Sequence, residues 1–148
     1  MSSRSSGKLG LIWTFVPFLI FPLLIYIFIA LFSQSMNGAL NASLFELTML
    51  SGGVWRFEVG EALLAFAMGC LFLEVVKSTS TRRSALLNHG LSVGLLVICL
   101  IVFLCLKHFA TSEFFLIMLM VGLDVVAGFI VSIVAARRDF GVGDGFIQ

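Results

Sequence analysis

Charge is scarce in this sequence. Only 11% of its 148 residues are Asp, Glu, Lys or Arg, less than half of the roughly 25% that soluble domains carry. Hydrophobic residues make up 60%, and the mean hydropathy is +1.15. The composition excludes an ordinary soluble domain and predicts an integral membrane protein. The net charge of +1, without a basic patch, also argues against a nucleic-acid partner.

Motifs of catalysis and of metal or cofactor binding are lacking as well. The three cysteines, Cys70, Cys99 and Cys105, lie within apolar runs and have no paired spacing, so we interpret them as small hydrophobic side chains. There is no histidine pair at metal-ligand spacing, no nucleophile elbow and no phosphate-binding loop. We therefore predict no metal, no cofactor and no enzymatic activity.

The sequence does contain four long apolar runs, at about 9–32, 59–76, 86–106 and 114–136. About 20 apolar residues suffice for a helix to cross a bilayer, and a helix satisfies its own backbone hydrogen bonds there. The runs predict an all-α bundle of four transmembrane helices in a single membrane domain, residues 1–148. Within the first run, Pro22 predicts a kink and a free carbonyl at Phe18.

The basic residues predict the orientation of the four spans. Two of the nine, Arg56 and Lys107, fall on one side of the expected bundle. The other seven fall on the side that holds both termini: Arg4, Lys8, Lys77, Arg82, Arg83, Arg137 and Arg138. The positive-inside rule then places both termini, and the tail 137–148, in the cytoplasm.

The first outer loop, 33–58, is the longest connection. Its apolar residues have a spacing that predicts a short amphipathic helix lying in the membrane interface and ending at a glycine pair. These residues are Leu40, Leu44, Leu47, Met49 and Leu50, followed by Gly52 and Gly53.

Asp124 is the most informative side chain, because helical counting places it near the bilayer midplane. A charge at that depth is costly unless it is neutralised, paired or hydrated. Its neighbours Ala127 and Gly128 are small, so this face should pack against another helix. Glu61 and Tyr26 are expected at a similar depth. The three polar residues predict a proton or cation site, and the alternative is an interhelical hydrogen bond that fixes the packing.

A second polar group is expected near the cytoplasmic ends of the second and third spans. Glu74 and Lys77 are three residues apart and share one helical face. Asn88 and His89 begin the third span across a short connection. We interpret the four as an interfacial polar cluster that closes a helical hairpin, with a proton-handling site as the alternative.

Small residues predict helix packing. Gly90 and Gly94 form a GxxxG pattern in the third span, and Gly128 with Ser132 forms a second small pair in the fourth. Such pairs let helices approach closely. They fit contacts within the chain, a homo-oligomer or a larger membrane complex.

The two expected hairpins and the run ATSEFFLIMLMVGLDVVAGFIVSIVAARRDF, residues 110–140, resemble the small four-span inner-membrane proteins of proteobacteria. The resemblance implies a bacterial cytoplasmic membrane and carries no assigned activity. We expect a non-enzymatic accessory or scaffolding subunit that acts through helix contacts with the bilayer as its surroundings. The alternative is a small oligomeric proton or cation channel, or a coupled transporter, that uses Asp124 and Glu61.

Overall fold

The computed structural model describes residues 16–80 and 85–141, with side chains at 16–78 and 89–134. The elements in chain order are α1 (Ile20–Phe32), α2 (Met36–Leu40), β1 (Ser43–Thr48), β2 (Val54–Glu58), α3 (Val59–Ser80), α4 (Ala85–Cys105), a single 3-10 turn (Lys107–Phe109) and α5 (Ser112–Gly141). Residues 9–15 of the first expected span and most of the expected tail lie outside the described residues.

Two helices of the described chain are long and apolar enough to cross a membrane: Val59–Ser78 within α3 and Ser112–Val134 within α5. Only 28% of the apolar stretch in α3 and 33% of that in α5 are buried inside the protein, whereas the core helix of a soluble protein is mostly buried. The apolar parts of the other two main helices are shorter, at Ile20–Phe32 and His89–Cys105. The described residues therefore support two candidate spans and do not by themselves support the four that we expected.

The last helix is central to the packing. α5 makes extensive contacts with both α4 and α3, and α1 packs against α3. Gly60, at the start of α3, lies against the side chain of Glu113 at the start of α5, so both helices begin at the same end of the molecule. We call this the hairpin end, because β2 leads directly into α3 there.

Within the first expected span, the described residues become helical only at Ile20. Pro17–Leu19 form a turn in which the Ile20 amide donates to the Pro17 carbonyl and the Phe21 amide to the Phe18 carbonyl, both at 3.1 Å. Pro22 therefore lies in the first turn of α1, where its missing N–H leaves no helical bond unmade. In the described chain it produces no free carbonyl at Phe18, and that expectation was wrong.

The expected interfacial helix is replaced by a β-hairpin, so the fold is mostly helical but not all-α. β1 and β2 pair antiparallel, with Phe45 opposite Phe57, Glu46 opposite Arg56 and Leu47 opposite Trp55. Large and polar side chains alternate with a period of two over 45–48 and 55–58, which favours strands. The leucine spacing that predicts a helix is therefore misleading here, and only Met36–Leu40 is helical in the described loop.

The hairpin turn explains the glycine pair. The Met49 amide donates to the Gly53 carbonyl at 2.8 Å, and the Gly52 amide donates to the Met49 carbonyl at 2.9 Å. Gly52 has a φ of 81°, a backbone conformation that glycine adopts without steric cost. The pair that we expected to end a helix instead reverses the chain between two strands.

Candidate functional site

Four polar or ionisable side chains are buried among the apolar residues of α3, α4 and α5. Glu74 is 0% exposed, Ser92 1%, Asp124 5% and His89 9%. With Lys77 they form what we call the buried polar cluster. Buried polar groups are costly without partners, so each contact within the cluster bears on its role.

Glu74 and Lys77 fasten α3 to the beginning of α1. The two Glu74 carboxylate oxygens lie 2.8 and 3.1 Å from the Lys77 ammonium. The Phe18 amide donates to Glu74 Oε2 at 2.8 Å, and the Lys77 ammonium donates to the Val16 carbonyl at 3.0 Å. That ammonium also lies 4.5 Å from the centre of the Phe18 ring. The pair thus holds an amide, a carbonyl and a ring of the turn that precedes α1.

Asp124 joins α5 to α4. Its carboxylate is hydrogen-bonded to the Ser92 side chain, and both residues are almost fully buried. Asp124 lies about 18 Å along α5 from Ser112, and Ser92 lies about 20 Å along α4 from Cys105. The two residues are therefore at the same level in antiparallel helices. The side chain faces the protein interior, as expected from the small residues beside it.

His89 lies at a close contact between α4 and α5. Its ring is 4.2 Å from that of Phe129, centre to centre, in an edge-on arrangement. A Cβ added at Gly128 would collide with the imidazole, so glycine is required at that position for the ring to fit. Among the described residues, neither ring nitrogen has a hydrogen-bond partner. A buried imidazole with two unsatisfied nitrogens is unusual for a purely structural residue.

The ionisable groups of the cluster interact electrostatically. Glu74, Lys77 and His89 all lie close enough to Asp124 to influence the ionisation of its carboxyl group. Counted from the hairpin end, Asp124 comes first, at about 18 Å, followed by Glu74 at about 22 Å and Lys77 at about 27 Å. The polar groups therefore extend from the middle of the helices toward the end opposite the hairpin.

Tyr26 and Glu61 do not join Asp124. The Tyr26 hydroxyl donates to the His108 carbonyl at 2.9 Å and lies 2.7 Å from Thr111 Oγ1. Thr111 Oγ1 in turn accepts from the Phe114 amide at 3.2 Å, which caps the first turn of α5. Tyr26 therefore ties α1 to the start of α5 at the hairpin end.

Glu61 is exposed at the first turn of α3. Its Oε2 accepts a hydrogen bond from the Glu58 amide at 3.2 Å. A glutamate at the third helical position that reaches back to the residue before the helix is one half of a capping box. An acidic side chain there also interacts favourably with the helix dipole. This geometry gives Glu61 a role in starting the helix, away from the proton or cation site that we expected it to share.

The two small-residue pairs differ in their surroundings. Gly90 and Gly94 are exposed, and a Cβ added at either would meet nothing within 4 Å. Gly128 is in contact with His89, and the Ser132 hydroxyl donates to the Gly128 carbonyl at 2.8 Å. Within the described chain, only the second pair lies at a helix contact.

The expected group of Glu74, Lys77, Asn88 and His89 is brought together only in part. Glu74 and Lys77 are adjacent, but they turn toward α1, while His89 turns toward α5. The Asn88 side chain lies outside the described residues. Sequence reasoning missed Ser92, which is one helical turn after His89 and therefore on the same face of α4. It also missed the hydrogen bond from the Phe18 amide to Glu74, because every residue except proline has a backbone amide and the residue type therefore gives no indication of such a bond.

The side chains of the buried polar cluster can form hydrogen bonds and ion pairs and can exchange protons. No group of three or more His, Cys, Asp or Glu side chains that could hold a metal ion occurs in the part of the chain that the structure describes. No family model, no curated protein and no solved structure matches the chain.

Proposed function

We propose that this chain is an integral membrane protein with a non-enzymatic accessory or scaffolding role, exercised through contacts of its helices. The observation that carries the proposal is the surface of α3 and α5. Large apolar side chains such as Phe72, Met68 and Ile130 are more than half exposed, on helices long enough to cross a bilayer. An apolar surface of this extent is stable in lipid and a liability in water.

We further propose four spans with both termini in the cytoplasm. α4 has 21 residues and a length of about 31 Å, which matches the hydrocarbon thickness. α1 supplies 13 residues, all of them apolar or aromatic, to the first of the proposed spans. The distribution of Lys and Arg supports this orientation. The likeness to small four-span proteins of proteobacteria supports placing the protein in a bacterial inner membrane.

The buried polar contacts support a structural role. Glu74 and Lys77 attach α3 to α1, Asp124 and Ser92 join α5 to α4, and Tyr26 attaches α1 to the start of α5. Polar contacts of this kind fix the register of helices whose apolar surfaces would otherwise slide. A rigid scaffold that presents its outer surface to another membrane protein, or to a second copy, needs such contacts.

Photo-cross-linking in the native membrane tests the scaffolding role. A photoreactive phenylalanine analogue is introduced singly at one exposed position on each main helix: Phe28, Phe72, Leu104 and Ile130. We expect protein adducts of defined mass from one or two of these positions, because a scaffold contacts its partner through a limited surface. The remaining positions, which face lipid, should give only lipid adducts.

The control for this experiment is the hairpin position Thr48, which lies outside the proposed helix surface. Adducts that form there and at every helix position alike would indicate random collision. If all four helix positions give lipid adducts only, the protein has no partner along its helices and the scaffolding role is refuted. The same result would leave the membrane location intact.

His89 favours a second candidate function, a proton or cation pathway through the bundle. Its imidazole is 9% exposed, has no partner for either nitrogen among the described residues, and lies within electrostatic reach of Asp124. A histidine and a carboxylate that lie next to each other along a path through the protein can transfer a proton from one to the other. The ionisable groups within electrostatic reach of Asp124 are Glu74, Lys77 and His89, so the route that we propose runs through α3 and α4 and does not use Glu61.

Flux measurements in proteoliposomes separate the two functions. If the pathway exists, wild-type protein passes protons or alkali cations, Asp124→Asn abolishes the flux, and Glu61→Gln leaves it unchanged because Glu61 lies at the start of α3. Asn has nearly the size of Asp and can still bond Ser92, so the fold should persist. Flux no greater than in empty liposomes would exclude the pathway and leave the scaffold.

A further inference from the structure

The β-hairpin has one strongly apolar face. Phe45, Leu47, Trp55 and Phe57 lie on the same side of the two strands, as their cross-strand pairing requires. The Phe45 ring is 5.0 Å from that of Phe57 and 5.8 Å from that of Trp55, and the Trp55 and Phe57 rings are 5.6 Å apart. The three rings therefore form one continuous aromatic surface.

The opposite face of the hairpin is more polar. It carries the ion pair between Arg56 and Glu46, at 2.9 Å, with side chains 65% and 50% exposed. Thr48 lies on the same face, opposite Val54. The hairpin thus has one apolar face and one more polar face. Leu50, in the turn between the strands, is fully exposed.

Most of the aromatic face is uncovered in the described chain, and only Phe57 is partly buried. Phe45 is 49% exposed, Leu47 51% and Trp55 42%. A two-stranded hairpin is marginally stable in water and needs a further layer against its apolar face. An aromatic surface and an apolar tip in water would add to that cost. The hairpin therefore needs an apolar surface beside it.

The position of the hairpin identifies that surface. β2 ends at Glu58 and α3 begins at Val59, so no linker separates the strands from a helix that we propose to cross the bilayer. The base of the hairpin must then lie at the membrane surface. Tryptophan and other aromatic side chains are enriched in that layer, where their rings are partly buried and partly hydrated.

We propose that the hairpin lies on the outer leaflet of the membrane, with the face formed by Phe45, Leu47, Trp55 and Phe57 against the boundary between headgroups and acyl chains. The ligand is the lipid surface itself. In this position Arg56 and Glu46 face water. The inference depends on the proposed membrane location of α3 and adds a second, peripheral contact with lipid.

Tryptophan quenching in liposomes tests the proposal. The chain has two tryptophans, so Trp13→Phe leaves Trp55 as the only one. The protein is reconstituted in phosphatidylcholine with bromine atoms high or low on the acyl chains. We expect the shallow bromines to quench Trp55 emission roughly twofold more than the deep bromines, as for a side chain in the interface. Aqueous iodide should quench it weakly.

Two outcomes would overturn the proposal. Strong quenching by iodide together with no quenching by either brominated lipid places the aromatic face in water. Protection of Trp55 from iodide and from both lipids places a protein there, either a second copy or another chain. Leu47→Lys, on the aromatic face, should reduce quenching by the shallow bromines, while Thr48→Lys on the opposite face should leave it unchanged.

A reporter in α3 distinguishes this failure from failure of the membrane location. Phe72 is 66% exposed and lies about 20 Å along α3 from Val59. A chain with Trp13→Phe, Trp55→Phe and Phe72→Trp should be quenched most by the deep bromines. If that reporter is quenched and Trp55 is not, only the hairpin proposal is wrong. If neither is quenched, α3 does not cross the bilayer and the proposed function fails as well.

Discussion

The ion pair between Glu74 and Lys77 should be strongly coupled, and Glu74→Gln is the simplest way to test it. The substitution keeps the size of the side chain and leaves an oxygen that can accept from the Phe18 amide. It removes the negative charge that faces the Lys77 ammonium at 2.8 Å. The lysine side chain is only 16% exposed, so water cannot fully replace the lost carboxylate.

The expected magnitude follows from this burial. Removing one member of a buried ion pair costs about 3 to 5 kcal/mol, because the other charge stays buried without compensation. We expect about 3 kcal/mol for Glu74→Gln and at least as much for Lys77→Met, which leaves a carboxylate with 0% exposure without that ammonium. The double variant buries neither charge. It should lose only about 1 to 2 kcal/mol, mainly the bond to the Val16 carbonyl.

A double-mutant cycle measures the coupling directly. The free energy of unfolding is determined for the wild type, both single variants and the double variant in mixed micelles with increasing SDS. Near-ultraviolet circular dichroism can follow the transition, because Tyr26 packs with its ring 5.0 Å from that of Phe114. The double variant should be more stable than the sum of the single effects predicts by about 4 kcal/mol.

The exposed pair in the hairpin is the matched control. Glu46 lies 2.9 Å from Arg56, almost the same distance, but both side chains are at least half exposed. Glu46→Gln should therefore cost less than about 1 kcal/mol. Additive effects of Glu74→Gln and Lys77→Met, or equal costs at Glu74 and Glu46, would refute the view that burial makes the inner pair strong.

Three further predictions concern packing and exposure. Gly128→Ala should lower the free energy of unfolding by about 1 to 3 kcal/mol, because the added methyl group collides with His89. Gly94 has open space around it, so Gly94→Ala should be neutral or stabilising. Equal effects of the two substitutions would contradict the close contact at Gly128. Tyr26→Phe should cost about 1 kcal/mol or slightly more by removing both contacts of the hydroxyl, and an unchanged unfolding midpoint would show that they contribute nothing. In detergent, a maleimide should label the exposed Cys105 much faster than the buried Cys70 and Cys99, which mass spectrometry of the partly labelled chain would reveal.

Part of the fold could be predicted from hydropathy alone. Three of the expected runs overlap α3, α4 and α5 closely, because long apolar segments leave the backbone little choice but a helix. The first run was harder, since proline at positions 17 and 22 sets where a helix can begin, and hydropathy does not register that. The hairpin was missed because leucines in a short loop fit both a helical and an alternating pattern.

The sequence predicted which residues belong to the candidate site better than it predicted the contacts between them. The small residues beside Asp124 predicted that its side chain faces inward, and Asp124 is buried; helical spacing placed Glu74 beside Lys77. Counting also placed Glu61 and Tyr26 at the depth of Asp124, whereas both lie at the hairpin end, and Glu61 is about 15 Å from Asp124 along the helix axes. Both are used at helix ends instead, where capping contacts depend on local backbone geometry. The true partner of Asp124, Ser92, is too common a residue type to stand out.

The central place of α5 has a consequence for biosynthesis. It is synthesised after α3 and α4, yet it makes extensive contacts with both of them. Until α5 is in place, Ser92 lacks the Asp124 carboxylate. His89 likewise lacks Gly128, the residue against which its ring packs. A chain that stalls before residue 112 therefore lacks the carboxylate and the glycine against which Ser92 and His89 pack. The packing that α3, α4 and α5 share cannot form until α5 has been synthesised.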